Sequence, residues 1–247
     1  MQNWFYLLFL IEYIYMKKKI ANFFKQISIF EYILTIISLI IIVVFSFAFK
    51  VGILKILFSL FGVIMLLFVS KGWIIGEFFS LAYMTIYAII SYFSHYYGEM
   101  IISIFISLPI SIFTFINWIK HPKNKGEQEI KISSLSNFSM LCIITFSILL
   151  FIPLYFLLKY FNTPNLIIST LSIIASLIAS LLLLFRSHYY ALFFILNDII
   201  VMTLWILLCK IDISNLMMVI TFLISLVFDI YGLINWSKIK KKQAKTL

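Results

Sequence analysis

The chain has 247 residues, of which 64% are hydrophobic and only 11% charged. A soluble globular domain carries about a quarter charged residues, so the composition excludes one. The formal net charge is +10, but the basic residues sit in short loops and near the C-terminal end. With no folded basic face, membrane topology explains them better than a nucleic-acid partner.

A mean hydropathy of +1.14 and successive apolar runs of about 20 residues indicate an all-α, polytopic membrane protein. The runs are continuous rather than alternating, which argues against a β-barrel. Cys142 and Cys209 lie in or at the end of apolar runs without paired spacing, and suggest neither disulfides nor a metal site.

Residues 1–28 contain Glu12, four lysines and interleaved aromatics. They are expected to lie as an interfacial segment on the inner leaflet; Met16, which opens MKKKIANFF, is an alternative start. Eight spans follow at 30–49, 51–70, 73–93, 100–119, 139–158, 166–185, 188–208 and 214–236. The one long polar connection is 120–138, and 237–247 is a basic tail. With both termini cytoplasmic, fifteen basic residues fall inside and four (Lys50, Lys55, Lys159 and Lys210) outside or near the outer face. That asymmetry is a strong positive-inside signal. Glu99 and Asp212 are placed outside.

An internal repeat is legible. LFVS at 67–70 returns as LFRS at 184–187, and FINW at 115–118 as LINW at 233–236. Residues 51–119 and 166–236 are therefore expected to be two parallel three-helix repeats. Span 139–158 is the linker helix and 30–49 an extra helix. SWEET-type transporters share that arrangement, with a substrate site near the midplane where the repeats meet.

The run from Arg186 to Trp205 carries Asn197 and Asp198 near its middle. An Asp at that depth costs about 2.5–3.5 kcal/mol on insertion scales and is tolerated where it faces protein or a watery path. At 100° per residue, Phe194, Asp198 and Trp205 share one helix face, a carboxylate flanked by two rings. The alternative is an Asp bonded to a neighbouring helix as structural glue. Glu77 and Asp229 are the other intramembrane carboxylates, and no basic residue lies at midplane depth to pair with them. Carboxylates and aromatics without a basic partner suit a cationic aromatic ligand. Ser80, Tyr83 and Tyr87 form a second polar-aromatic face, roughly overlaying Asn197 and Trp205 in the repeat.

Several motifs resemble the PnuC-type vitamin transporters. YYGEM at 96–100, then Leu108-Pro109 and Trp118, is similar to that family's Tyr-Gly-acidic, Leu-Pro, Trp pattern closing its first repeat. LSII at 171–174 resembles the start of its second repeat. Arg186, Asp198 and Trp205 keep the spacing of its Arg, Asn-or-Asp and Trp, and DIYGLINW at 229–236 resembles its closing segment. The resemblance spans roughly 51–240. It implies a SWEET-like fold and facilitated diffusion of nicotinamide riboside, with a cytoplasmic kinase trapping the product and no cofactor in the chain. The family's Glu position falls on Tyr189, and its two Trp positions on Ala191 and Phe194. These departures keep thiamine or another vitamin open as the substrate.

The sequence thus reads as a multi-pass transporter of a bacterial inner or plasma membrane, not an enzyme. It would work by alternating access around a site lined by Tyr83, Tyr87, Phe194, Asn197, Asp198, Trp205 and Asp229. Asn117, Trp118, Asn235 and Trp236 are expected to anchor helix ends at headgroup level or to form an inner gate. Its partners are a vitamin-type solute and the lipid bilayer, and a homo-oligomer is compatible with these features. A SWEET-like sugar or metabolite carrier, a membrane-embedded enzyme and an assembly protein are the alternatives.

Overall fold

The computed structural model describes residues 25–124 and 127–245; most of the expected interfacial segment 1–28 lies outside them. Among the described residues, eight helical spans are long and apolar enough to cross a membrane. They are α1 (Ile29–Ala48), α2 (Ile53–Ser70), α3 (Ile74–Phe93), α4 (Tyr97–Lys120), α5 (Asn137–Tyr160), α6 (Leu166–Leu184), α7 (Tyr190–Cys209) and α8 (Leu216–Lys245), the last entered through a short 3-10 turn, Ile213–Asn215. The chain forms two compact units, up to Ile37 and from Ser38 onward. In the first, α1 begins at a capping box: the Glu31 N–H donates to Ser28 Oγ at 3.2 Å, and the Ser28 N–H to Glu31 Oε2 at 2.6 Å.

Within the second unit, α2–α4 and α6–α8 are each a three-helix bundle, and the third helix of each packs on the first helix of the other. That reciprocity is visible in single bonds. The Asn117 side chain donates to Leu184 O (2.6 Å) and the Trp118 indole to Leu183 O (3.3 Å). The Asn235 side chain donates to Ser70 O (2.9 Å) and the Trp236 indole to Val69 O (2.8 Å). The FINW and LINW segments are therefore equivalent, and each closes the C-terminal carbonyls of the other repeat's first helix. The LFVS–LFRS match is a coincidence of composition: these caps pair Ser70 with Leu184, not with Ser187. Gly72 (φ +64°) and Arg186 (φ +57°) are the left-handed residues that end the two first helices.

Proline shapes two spans. Pro109 has no N–H for the helix ladder, and a π-helical turn at Ser103–Ser107 ends two residues before it in α4. In α5 the ladder breaks at Leu150, three residues before Pro153. The helix α8 runs through Lys245, so most of the basic tail is helical. The polar 120–138 connection is laced across the lysine-rich end rather than free. Ile130 N–H donates to Gly72 O (2.9 Å) and Ser133 N–H to Arg186 O (3.0 Å). The Gln243 side chain on α8 holds the Ile130 carbonyl (3.0 Å) and the Ile132 N–H (2.9 Å).

Candidate functional site

A central cavity of about 120 Å³ lies between the repeats, lined by residues from α2, α3, α4, α6, α7 and α8. Its wall follows from simple helical stripes. Ser103, Ser107 and Ser111 line it from α4, and Ser172, Ser176 and Ser180 from α6, each series spaced by four residues. Four carboxyl groups line it too: Glu77, Glu99, Asp198 and Asp229, each at most 7% exposed. Among the described residues, no Lys, Arg or His contributes to the lining.

The acids are unequally satisfied. Glu77 Oε2 accepts from Ser80 and Ser111, each at 3.4 Å, while its Oε1 has no protein donor. Glu99 Oε1 accepts from Ser172 Oγ at 3.1 Å. Asp198 and Asp229 are electrostatic neighbours on the cavity wall, and buried Oδ2 of Asp198 receives no hydrogen bond from a protein donor. Beside it, Asn197 Oδ1 is likewise buried without a donor. Buried acceptors with no donor cost about 1–3 kcal/mol each, more for charged ones, so this wall is built for a ligand that brings donors or positive charge.

Most of the expected site residues come together here. Tyr83, Tyr87, Phe194, Asn197, Asp198 and Asp229 all line the cavity. Tyr83 stacks on Phe58 at 4.3 Å between ring centroids, in the space that Gly62 leaves by having no side chain. Trp205 does not line the cavity. It is 1% exposed and packs behind the wall with Phe58, Tyr83 and Phe222, in the same cluster as Tyr87. Its helix position is one turn too near the end of α7, so Val201 takes the place on the lining.

Headgroup anchoring is not what the Asn-Trp pairs do. Trp118 and Trp236 are both 0% exposed and lie 5.7 Å apart where the repeats meet. Each indole N–H reaches a helix-end carbonyl across the repeat boundary, and that bond draws the ring inward rather than out to lipid. Glu99, expected on the outer surface, points into the cavity, because the first turn of α4 is tucked against α5 and α6. Glu77 and Tyr190 also belong to the lining. Extending the Ser80–Tyr87 face by one turn would have found Glu77. The serine stripe of α4 leads back to Glu99.

The end of the bundle opposite the lysine-rich face is joined by a second cross-repeat contact. Lys55 on α2 donates to Ser214 Oγ and to Asn215 Oδ1, both at 2.8 Å, with Asp212 at 3.6 Å. The Ser214 hydroxyl and N–H hold the exposed Asp212 carboxyl below its ordinary range, so it stays charged beside Lys55.

A family model described as nicotinamide mononucleotide transporter matches residues 52–238, which contain both repeats and the whole cavity. The chain belongs to that family, the PnuC transporters. One relative, the nicotinamide riboside transporter PnuC of Neisseria mucosa, is 25% identical over 187 residues, covering 74% of this chain and 71% of its own. A solved structure described as the vitamin B3 transporter PnuC superposes with a TM-score of 0.77 at 22% identity. That superposition covers 87% of this chain and 94% of the other, and confirms the fold. The protein is a multi-pass membrane transporter of a small vitamin-type solute, not an enzyme.

Proposed function

We propose that this transporter carries nicotinamide riboside by alternating access, the central cavity being exposed to each side of the membrane in turn. The observation that carries this reading is the make-up of the cavity wall: four carboxyl groups line it and, among the described residues, no basic side chain does. A pyridinium ring is positively charged and aromatic. Tyr83, Tyr87 and Phe194 offer ring faces worth about 0.5–2 kcal/mol to such a cation once water is excluded. The serine stripes offer hydroxyls to a ribose. A phosphate dianion would meet carboxylates without a counter-charge, so the riboside fits and its mononucleotide does not.

The cavity of about 120 Å³ is smaller than the ~300–1,000 Å³ of ordinary ligand pockets. A nucleoside therefore needs the repeats to separate around it. The Asn117–Trp118 and Asn235–Trp236 closures at one end, and Lys55 with its partners at the other, are the contacts such movement must break. With the lysine-rich end cytoplasmic, the former are the inner gate and both termini lie inside a bacterial plasma membrane. The riboside's own gradient then drives uptake, and phosphorylation by a cytoplasmic kinase traps the product.

Ala191 and Phe194, standing where the family pattern has tryptophans, favour thiamine as a second reading. It too is a phosphate-free aromatic cation. Uptake of radiolabelled substrate into liposomes containing the pure protein separates these readings. Riboside uptake that excess unlabelled mononucleotide does not inhibit is expected. Uptake of thiamine alone transfers the site to the second reading, and equal uptake of the mononucleotide overturns the charge argument.

A further inference from the structure

Among the described residues, three buried acceptors on the cavity wall receive no hydrogen bond from a protein donor: Glu77 Oε1, Asn197 Oδ1 and Asp198 Oδ2. Two of them are neighbours on α7, and the third stands apart on α3. Its depth follows from the repeat. Asn117 and Asn235 are equivalent and 118 residues apart. The same offset carries Ser80 onto Asp198. The helix α3 begins at the lysine-rich end, where the Ile74 N–H donates to Gln128 O of the polar connection at 3.0 Å. Glu77 therefore lies about one helical turn, roughly 5 Å, nearer that end than the level of Asp198. Its own counterpart is Ile195, so the second repeat has no acid at that level.

The surroundings of Glu77 leave one role open for it. Its Oε2 accepts from Ser80 and Ser111, and these two hydroxyls also bond each other. Thr114, a further lining residue on α4, gives its hydroxyl proton to Ile110 O at 2.8 Å. The nearby hydroxyl protons are thus committed, and none reaches Oε1. The missing donors have to come with the ligand. A carboxylate has two oxygens and only accepts, so adjacent hydroxyls suit it, each giving one O–H to a charged acceptor. An acidic side chain on a ribose hydroxyl is also how dinucleotide-binding folds hold their sugar. Asn197 Oδ1 is a single acceptor beside Asp198, and suits the N–H of a carboxamide on the ring instead.

We propose that Glu77 holds the vicinal diol of the substrate's ribose, so that the nucleoside lies along the cavity with its ring at Asp198 and its sugar toward the lysine-rich end. This rests on the reading of the substrate as a riboside. Glu77 is then a specificity residue for the sugar, separate from the groups that read the charge of the ring. A sugar lacking one hydroxyl leaves a buried carboxylate oxygen unpaired, which rejects it more strongly than a lost contact alone. Thiamine has no diol and leaves the same oxygen unpaired.

The test is calorimetric titration of the full-length, detergent-purified protein with nicotinamide riboside and its 2′-deoxy and 3′-deoxy analogues. The native protein should bind each deoxy analogue at least about tenfold more weakly than the riboside. In Glu77→Ala the three affinities should fall within about threefold of one another, while the preference for the oxidised over the dihydro ring stays native. Asp198→Asn should do the reverse, losing the ring preference and keeping the sugar preference. Glu77→Gln keeps the size and one acceptor, and decides the matter if Glu77→Ala does not fold or loses both preferences together. Its sugar preference should lie below the native one. Riboside binding with no sugar preference in the native protein, or a native preference in Glu77→Gln, would overturn the proposal and leave the substrate reading standing. A native protein that does not bind the riboside overturns that reading, and the sugar site falls with it.

Discussion

At the scale of single residues, the Asp198 carboxyl is the feature on which the proposed site depends most. Asp198→Asn keeps size and hydrogen-bonding capacity but removes the carboxylate that the proposal sets against the ligand. Riboside affinity should fall tenfold or more, about 1.4 kcal/mol, modest for a desolvated ion contact. Calorimetry on the purified variant checks it, and unchanged affinity would mean the carboxyl is only glue between α7 and α8. Trp205 belongs to a different class of effect, because it stands behind the wall. Trp205→Leu removes a fully buried indole and should lower thermal stability without ligand by several kcal/mol. Any loss of affinity should come through Tyr87, which packs against the same cluster. If the ligand-free melting temperature is unchanged while affinity collapses, Trp205 touches the substrate after all.

Among the helices, α4 carries the least regular geometry and the richest lining. The π-helical turn at Ser103–Ser107 sets Ser103, Ser107 and Ser111 along the cavity together, with Pro109 two residues after it. Pro109→Ala restores an N–H and relieves the ring clash, which lets α4 relax to a regular ladder. The variant should be at least as thermostable as the native protein yet bind riboside more weakly, as the serines rotate out of register. Equal stability with equal affinity would show the turn is fixed by packing instead. Sequence periodicity made the helices and six of the lining residues legible, since depth in an apolar run and a shared helix face are local properties. The placement of Glu99 and the two tryptophans was not. Glu99 lies near a helix start, where an exposed and a buried acid read alike, and only the tucked first turn decides. Trp118 and Trp236 sit where lipid-facing anchors normally occur. Their burial depends on carbonyl ends of helices more than sixty residues away in sequence.

For the molecule as a whole, the two-repeat design implies that opening one end breaks equivalent bonds in both halves. The proposed orientation has the 120–138 connection and the C-terminal end of α8 in the cytoplasm, as the count of spans and the positive-inside rule lead one to expect. Single cysteines at Glu127 and Lys245 should then be protected from an impermeant reagent in intact cells, whereas one at Lys210 should react. Labelling of Glu127 and Lys210 from the same side would contradict the topology, and with it the parallel repeats. The repeat itself was legible from FINW and LINW, but a second tetrapeptide match was misleading. In so apolar a sequence, four-residue identities arise by composition, and only the capping bonds show which residues correspond.

The claim at the centre is that the cavity selects positive charge on an aromatic ring. Nicotinamide riboside and its reduced dihydro form have nearly the same shape and the same sugar, but only the first carries the ring charge. Their affinities for the same purified protein, measured by calorimetry at neutral pH, test it most directly. The oxidised riboside should bind at least tenfold more tightly, about 1.4 kcal/mol. Equal binding of the two forms would contradict charge recognition by Asp198 and Asp229.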